Sequence, residues 1–576
     1  MEYNSTILTS SAATVAKVVT NRAHSLYQSE LCSIVLCGDV FLQDKVTSLE
    51  EINTFLINNK KCIDTLYQQL SGQFWLVVFY SESNKLFLVN DHFGMQPCFY
   101  TQQNNTITIS DSLKKLKSIP ELSFSISEQA LFNYMYFHCI PSPTTIFEQV
   151  AKLEPGKAVI FVKKEADSTF ITTEKLLYCP SFNQKKAQAK GSHKACLDVI
   201  EKAVTKHASD DCGAFLSGGL DSSSVAGMLA KSKSPAKTFS IGFTVDGYDE
   251  TAYAKLTAKH FGTQHEVLYL QPEQAADEFV KVAQYFDEPF GNSSAMATYF
   301  CAKFAKSHGV SRLLAGDGGD ELFAGNDRYA KQKQFEFYQQ VPNTIRGIAK
   351  GVFCHTPFGK LPILSKGTSY INQAEVPLPD RLESYNFLNR FGVDTMFNND
   401  FINGIDIQQP IMQQRQRYQD CSSEHIVDQM LYLDWKFTLA DNDLVKVGRM
   451  CDMAGVEVRY PLLDKSVVNF SCTIPAEIKL PGNKLRDFYK ESCRGFLADD
   501  TLTKSKHGFG LPFGMWMKEN QVLKELVLDN LLAFKKRKIV KDSLVDSVLD
   551  AHQSVHASYY GELIWIMVVL ELWLQQ

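Results

Sequence analysis

Between Ala214 and Met228 the chain reads AFLSGGLDSSSVAGM, an apolar lead-in that passes through Ser217-Gly218-Gly219-Leu220-Asp221-Ser222-Ser223 into a helix-forming run. That order of residue types predicts a strand, a tight turn and a helix start. Two adjacent glycines let backbone close on an anion, and the hydroxyls and free N–H groups of the first helical turn aim at it with the positive end of the helix dipole behind them. Leu216, Ser217, Gly218, Gly219, Asp221, Ser222 and Ser223 are therefore candidate nucleotide-binding residues. Asp221 adds a carboxylate, which the Mg²⁺ carried by a polyphosphate requires. GxxxxGK[ST] is absent and no lysine follows the glycines, so the stretch is not a Walker loop. An ordinary strand-to-helix turn is the competing reading of the glycine pair alone.

The chain after the linker-like 180–193 segment alternates strand and helix: a helix to His207, the opening loop, then strands at 238–243, 265–270 and 312–315 separated by helices. This spacing predicts an α/β domain with a parallel sheet over 193–576, its later part helical, with ligands at the carboxyl ends of the strands. Two further segments fall at such ends. Ile241-Gly242-Phe243 puts an open glycine one strand over, where an adenine fits against backbone. Gly316-Asp317-Gly318-Gly319-Asp320-Glu321 sets glycines between acids directly after a strand, a second loop for anion and metal. Gly316, Asp317 and Gly318 join the nucleotide set, and Asp320 completes a two-carboxylate Mg²⁺ site with Asp221, the ligand count that ion prefers beside phosphate and water.

Residues 1–180 are β-rich, with strands at 33–36, 74–80, 85–89, 106–109 and 158–162 and helices near 47–69 and 127–137, an α+β domain with antiparallel pairing. The charge of -5 gives no reason for a nucleic-acid partner. The 14 scattered cysteines, without a CxxC pair, read as free thiols of a reducing compartment. The start of the chain shows no signal-peptide pattern, and the apolar run Leu563 to Leu570 is too short to span a bilayer. A buried helix and a cytoplasmic protein are expected.

The motifs together carry a resemblance. SGGLDSS resembles the pyrophosphate loop of N-type ATP pyrophosphatases. Gly72-Gln73-Phe74-Trp75 and Asn90-Asp91-His92-Phe93-Gly94-Met95-Gln96-Pro97 resemble the glutaminase (Ntn-type) signature of glutamine-hydrolysing asparagine synthetases. Asp287-Glu288-Pro289-Phe290, Asp443 to Met450, Glu457-Val458-Arg459-Tyr460-Pro461-Leu462-Leu463-Asp464, Lys484-Leu485-Arg486 and Lys506-His507-Gly508-Phe509 resemble segments of the synthetase half. The resemblance implies ATP and Mg²⁺ as cofactors, an acyl-adenylate, and pyrophosphate leaving into the 217–223 loop. It makes Lys506 the lysine that stabilises the adenylate and tetrahedral intermediate, with Lys484 in a second lysine motif, and the 287–290 segment a wall of the AMP and acyl pocket. Glu457 is a candidate for deprotonating the amine, against a structural pairing with Arg459 or Arg449.

Departures from that pattern shape the expected function. Position 2 is Glu2 where the family exposes a nucleophilic cysteine, and Gly38 follows only 37 residues, so the nucleophile strand and arginine loop are expected to be missing. Gly448 stands for a usual aspartate and Cys451-Asp452 for Ser-Met. A degenerate glutaminase makes no ammonia, and relatives with that defect, β-lactam synthetases and lasso-peptide cyclases, use an amine in their own substrate. The expectation is macrolactam (isopeptide) closure of a lasso-type precursor peptide, with a leader peptidase and leader-binding protein as partners. The alternatives are amidation of a small carboxylate with ammonia or a small amine, β-lactam-type closure, and a non-catalytic scaffold.

Overall fold

Two facing sheets form the N-terminal domain of this computed structural model, which describes residues 4–10, 13–164, 169–183, 192–339, 341–354, 365–504 and 510–576. One sheet runs Asn4–Ser10, Ala13–Thr20, Thr106–Ser110, Phe99–Gln103, Ala151–Lys152. The other runs Phe170–Leu176, Lys157–Lys163, Lys85–Asn90, Leu70–Tyr80, Cys32–Leu42, His24–Gln28. Pairing is antiparallel as expected except between Ala13–Thr20 and Thr106–Ser110, which run parallel. Residues 4–28, to which the sequence reading gave no strands, supply three.

Leu70–Tyr80 shows why the domain layers. Its side chains alternate with period two. Trp75, Val77 and Phe79 enter the core between the sheets, with Val35, Leu86, Leu88 and Phe161. Phe74, Leu76, Val78 and Tyr80 point the other way, into the core under the helices Leu49–Asn58 and Ile63–Gln69. Both faces are buried, so the strand from Phe74 to Tyr80 reads as a continuous apolar run. Ser48 starts the first helix with a capping box, accepting from the Glu51 N–H while the Glu51 carboxylate accepts from the Ser48 N–H.

The C-terminal domain holds a five-stranded, wholly parallel sheet in the order Gln264–Tyr269, Lys237–Gly242, Cys212–Phe215, Arg312–Leu314, Glu457–Arg459. Strand order reverses at Cys212–Phe215. A crevice therefore opens there, outside the strands' carboxyl ends, with Arg312–Leu314 on its other side. The fifth strand arrives after a long helical stretch and is only three residues long, which hid it from pattern reading. The C-terminal helix Ala557–Leu574 is longer than its apolar run suggests and by length and composition alone is apolar enough to cross a membrane. Here Leu563 to Trp573 are buried, packed on the helices Phe513–Glu519, Gln521–Lys536 and Asp542–Ser554.

One hydrophobic core runs through both domains, and ion pairs pin the seam. Arg459 of the last strand pairs with Asp39, and buried Lys465 donates from Nζ to the carbonyls of Tyr67, Gln68 and Leu70, each at 3.0 Å. Asp464, itself buried, accepts from Lys206 at 3.0 Å, His207 at 3.2 Å and the Ser466 hydroxyl at 2.6 Å. Burial pushes the Asp464 carboxyl up, but these partners outweigh it and hold it well below the usual carboxylate range. A depressed folded pKa contributes stability that is present above the unfolded value near ~3.9 and is lost as pH falls. Asp464→Asn should cost about 3 kcal/mol at neutral pH and flatten the acid limb of a urea-unfolding series; an unchanged acid limb would remove Asp464 as its source.

Candidate active site

The crevice is a cleft of about 810 Å³, within the range of small-molecule sites. Its floor is the opening loop. Gly218 has φ +73°, and a Cβ there would come within 2.4 Å of the Ala254 amide nitrogen, so glycine lets the loop lie on the helix Thr251–Phe261. Gly219 caps the helix Leu220–Ser232 without a side-chain hydrogen bond, leaving first-turn N–H groups for a ligand. The Ser222 hydroxyl donates to the Gly219 carbonyl at 3.3 Å and lies 3.0 Å from the Ser217 hydroxyl, fixing the turn.

The second loop interlocks with the first. A Cβ on Gly316 would meet the Ser222 amide nitrogen at 2.7 Å, and one on Gly319 would meet Asp221 Oδ1 at 2.0 Å. Two glycines thus let Asp221 and Asp320 converge. One guanidinium spans them: Arg486 Nη1 is 3.0 Å from Asp221 Oδ2 and its Nη2 is 3.0 Å from Asp320 Oδ1. Carboxylates from two loops that reach one cation fit a Mg²⁺ that also takes phosphate and water oxygens.

Cations and acids line the wall. Lys446 is half-buried and donates to Asp443 at 2.7 Å. Burial opposes its charge, yet Asp443 and Asp317 hold its pKa above the ordinary lysine value. Asp317 shows the converse, pushed up to about 6 by burial, with Lys446 lowering it and Asp443 raising it. Lys504 pairs with Glu250 at 3.2 Å, its side chain only 6% exposed, and lies over the Tyr253 ring. This ion pair beside the opening loop withdraws Lys504 from solvent.

Of the residues expected from sequence, Leu216, Ser217, Gly219, Asp221, Ser222, Ile241, Gly316, Asp317, Gly318, Asp320 and Lys484 line the cleft. Gly218 supports the loop from behind. Ser223 turns away, fully buried with its hydroxyl 3.1 Å from that of Thr257, because a helix points successive side chains in different directions. Gly242 is covered by the Tyr269 ring, and Phe243 packs on Trp516. Glu457 sits at the amino end of its strand, opposite the cleft, paired with Arg312 at 2.6 Å and with Arg459; the structural pairing is the correct reading. Lys506 lies outside the described residues. Asp443, Lys446 and Arg486 lie within the motif segments, but their relation to the loops is tertiary and no local pattern marks it.

The 287–290 segment does not reach the cleft. Asp287 pairs with Arg449 at 2.8 Å and accepts from the Ser112 hydroxyl at 2.6 Å, and Glu288 pairs with Lys152 at 2.6 Å. Asp287, Glu288, Lys152 and Arg449, with Gln96, Cys98 and Gly448, bound a separate cavity of about 70 Å³ between the domains. The helix Leu444–Ala454 separates the two spaces: Lys446 and Val447 face the cleft, Val445, Gly448 and Arg449 the smaller cavity. A nine-residue π-helix, Trp435–Asp443, leads into it.

Comparison with known proteins agrees with this layout. The asparagine synthase family model matches residues 195–575, and the glutamine amidotransferase domain model matches residues 53–171. Glutamine-hydrolyzing asparagine synthetase 1 of Bacillus subtilis is 25% identical over 95% of this chain and 86% of its own. Glutamine-hydrolyzing asparagine synthetase 3 of the same organism is 21% identical over 89% of this chain and 78% of its own. Amidase chry2 of Gibberella zeae is 23% identical over 78% of this chain and 70% of its own.

Proposed function

Since the chain belongs to the asparagine synthase family, ATP-dependent carbon–nitrogen ligases that form AMP and pyrophosphate, we propose that it adenylates a substrate carboxylate in the cleft and joins it to an amine its own first domain does not release. The Asp39–Arg459 ion pair carries this reading. By resemblance, Cys37-Gly38-Asp39 is the nearest equivalent of the Asn-Gly-Glu that holds glutamine in the family, and here Asp39 is ion-paired with the last strand of the synthetase sheet. Between the sheets, burial pushes the Cys37 thiol up to about 12 and that of Cys98 well above the ordinary value, so neither supplies a thiolate.

The opening-loop N–H groups and Ser217 receive pyrophosphate, and Asp221 with Asp320 would hold Mg²⁺. When bound, that ion neutralises charge on the phosphates. Lys484, Lys504 and, by resemblance, Lys506 offset charge developing on phosphate and oxyanion. Asp317 replaces Glu457 as the group to accept the amine proton: it faces the cleft and titrates near the working range. Because the base acts ionised, turnover should fall as pH drops through about 6. Asp317→Asn should lower kcat by about 10²-fold and abolish that limb; a retained limb assigns it elsewhere.

We take the amine to be one carried by the substrate, as in macrolactam (isopeptide) closure of a ribosomal lasso-type precursor peptide, with a leader peptidase and leader-binding protein as partners. Gly448 and Asp452 support this. Gly448 carries no side chain toward the domain seam, and Asp452 is engaged by Arg22 and Arg449, so neither presents the usual groups for a free aspartate. ATP as substrate and the thirteen cysteines that are free among the described residues favour the cytoplasm. A second reading, ammonia or a small amine, draws on the interdomain cavity, whose size suits such a molecule. ATP–pyrophosphate exchange decides between them. A peptide with a free N-terminal amine and an acidic side chain should stimulate exchange and lose one water in mass. Stimulation by aspartate with ammonium, and not by peptide, would overturn the peptide reading.

A further inference from the structure

Arg486 occupies a place that neither the motif reading nor the ligase chemistry explains. Its backbone is left-handed, φ +56°, ψ 27°, although it is not a glycine, a conformation that costs of order 1 kcal/mol or more and persists where surroundings enforce it. The enforcing partner is equally unusual. Ala324, which ends the short helix bearing Asp320, is also left-handed at φ +59°, and its carbonyl accepts from the Arg486 N–H at 3.2 Å. Two strained residues locked to each other thus aim the Arg486 side chain across both acids. Gly325 completes the fit: a Cβ there would meet Asp320 Oδ1 at 1.9 Å and Arg486 Nε at 2.6 Å. The guanidinium is largely withdrawn from water, its side chain 10% exposed.

A fixed cation between two carboxylates solves one problem and creates another. It offsets their repulsion while no ligand is bound, which matters in a site of reduced dielectric. It also opposes any divalent cation that binds the same oxygens. We infer that Arg486 is a displaceable counter-ion of the metal site: it holds Asp221 and Asp320 together in the nucleotide-free cleft and moves onto the polyphosphate when the metal arrives with it. The site then favours the metal–nucleotide complex over the bare metal, because only the complex brings the negative charge that takes Arg486 over. The inference rests on the ATP-dependent reading of the cleft.

Mn²⁺ binding to the full chain, followed by electron paramagnetic resonance, tests it alongside calorimetric binding of Mg²⁺-pyrophosphate. Arg486→Gly removes the charge and suits the left-handed backbone; Arg486→Lys keeps the charge without the fork. In Arg486→Gly, affinity for bare Mn²⁺ should rise about tenfold while affinity for Mg²⁺-pyrophosphate falls about tenfold. Arg486→Lys should lie between this variant and wild type on both measures. Bare-metal affinity that is unchanged or weaker in Arg486→Gly overturns the inference. Were the glycine variant to misfold, Arg486→Lys decides alone, since wild-type values on both measures would overturn it. Failure of the wild type to bind Mg²⁺-pyrophosphate would instead overturn the ATP-dependent reading, so the two failures are distinguishable.

Discussion

Asp320→Asn and Asp221→Asn should each reduce ATP–pyrophosphate exchange by about 10³-fold with the fold intact. Both acids end at the same point of the cleft, where one guanidinium reaches both of them at 3.0 Å. The amide is chosen because alanine would leave Arg486 half-paired in a largely buried position, a cost of about 3–5 kcal/mol that would mix stability with catalysis. Circular dichroism and the thermal midpoint check the fold, and exchange measured across a Mg²⁺ series checks the role. Rates that return to wild type at high Mg²⁺ would confine the acids to affinity; exchange unaffected at every concentration would remove them from the reaction and restore the scaffold reading.

Gly319→Ala should be almost as damaging although it deletes no functional group. The new methyl would lie 2.0 Å from Asp221 Oδ1 and 2.3 Å from its Cγ, far inside van der Waals contact, so either the carboxylate swings out of the cleft or the second loop lifts from the first. Either movement exceeds the 1 Å error that costs about 10²-fold in positioned reactions. Gly347→Ala is the matched control. It lies in the helix Asn343–Cys354 with nothing within 4 Å of its Cβ position, and should leave exchange unchanged while stabilising the chain by up to about 1 kcal/mol. Exchange in Gly319→Ala equal to that of the control would show that the two loops do not need their present contact.

How far the sequence spoke depended on the range of the interaction. Residues 214–228 and 316–321 were legible because strand, glycine turn and helix start are neighbours in the chain, and the parallel sheet followed from their repetition. Ser223 was misassigned because a motif names positions while a helix decides directions. Glu457 was misassigned because its strand is three residues long, and the sequence does not say which end faces the cleft. The seating of Asp287 and Glu288 against Arg449 and Lys152 was out of reach for another reason. Those partners lie far away in the chain, and an acidic pair before a proline reads the same whether it faces a ligand or another domain.

The helix Leu444–Ala454 has a consequence for how the two halves of this molecule share information. Its two sides belong to different compartments, and a rod cannot roll on one side alone. Any rotation that admits a guest beside Gly448 and Arg449 must carry Lys446, and with it the electrostatic environment of Asp317, through the same angle. The seam between the domains and the acid–base balance of the cleft therefore hang on one helix. By this shaft the first domain borders directly on the chemistry of its neighbour.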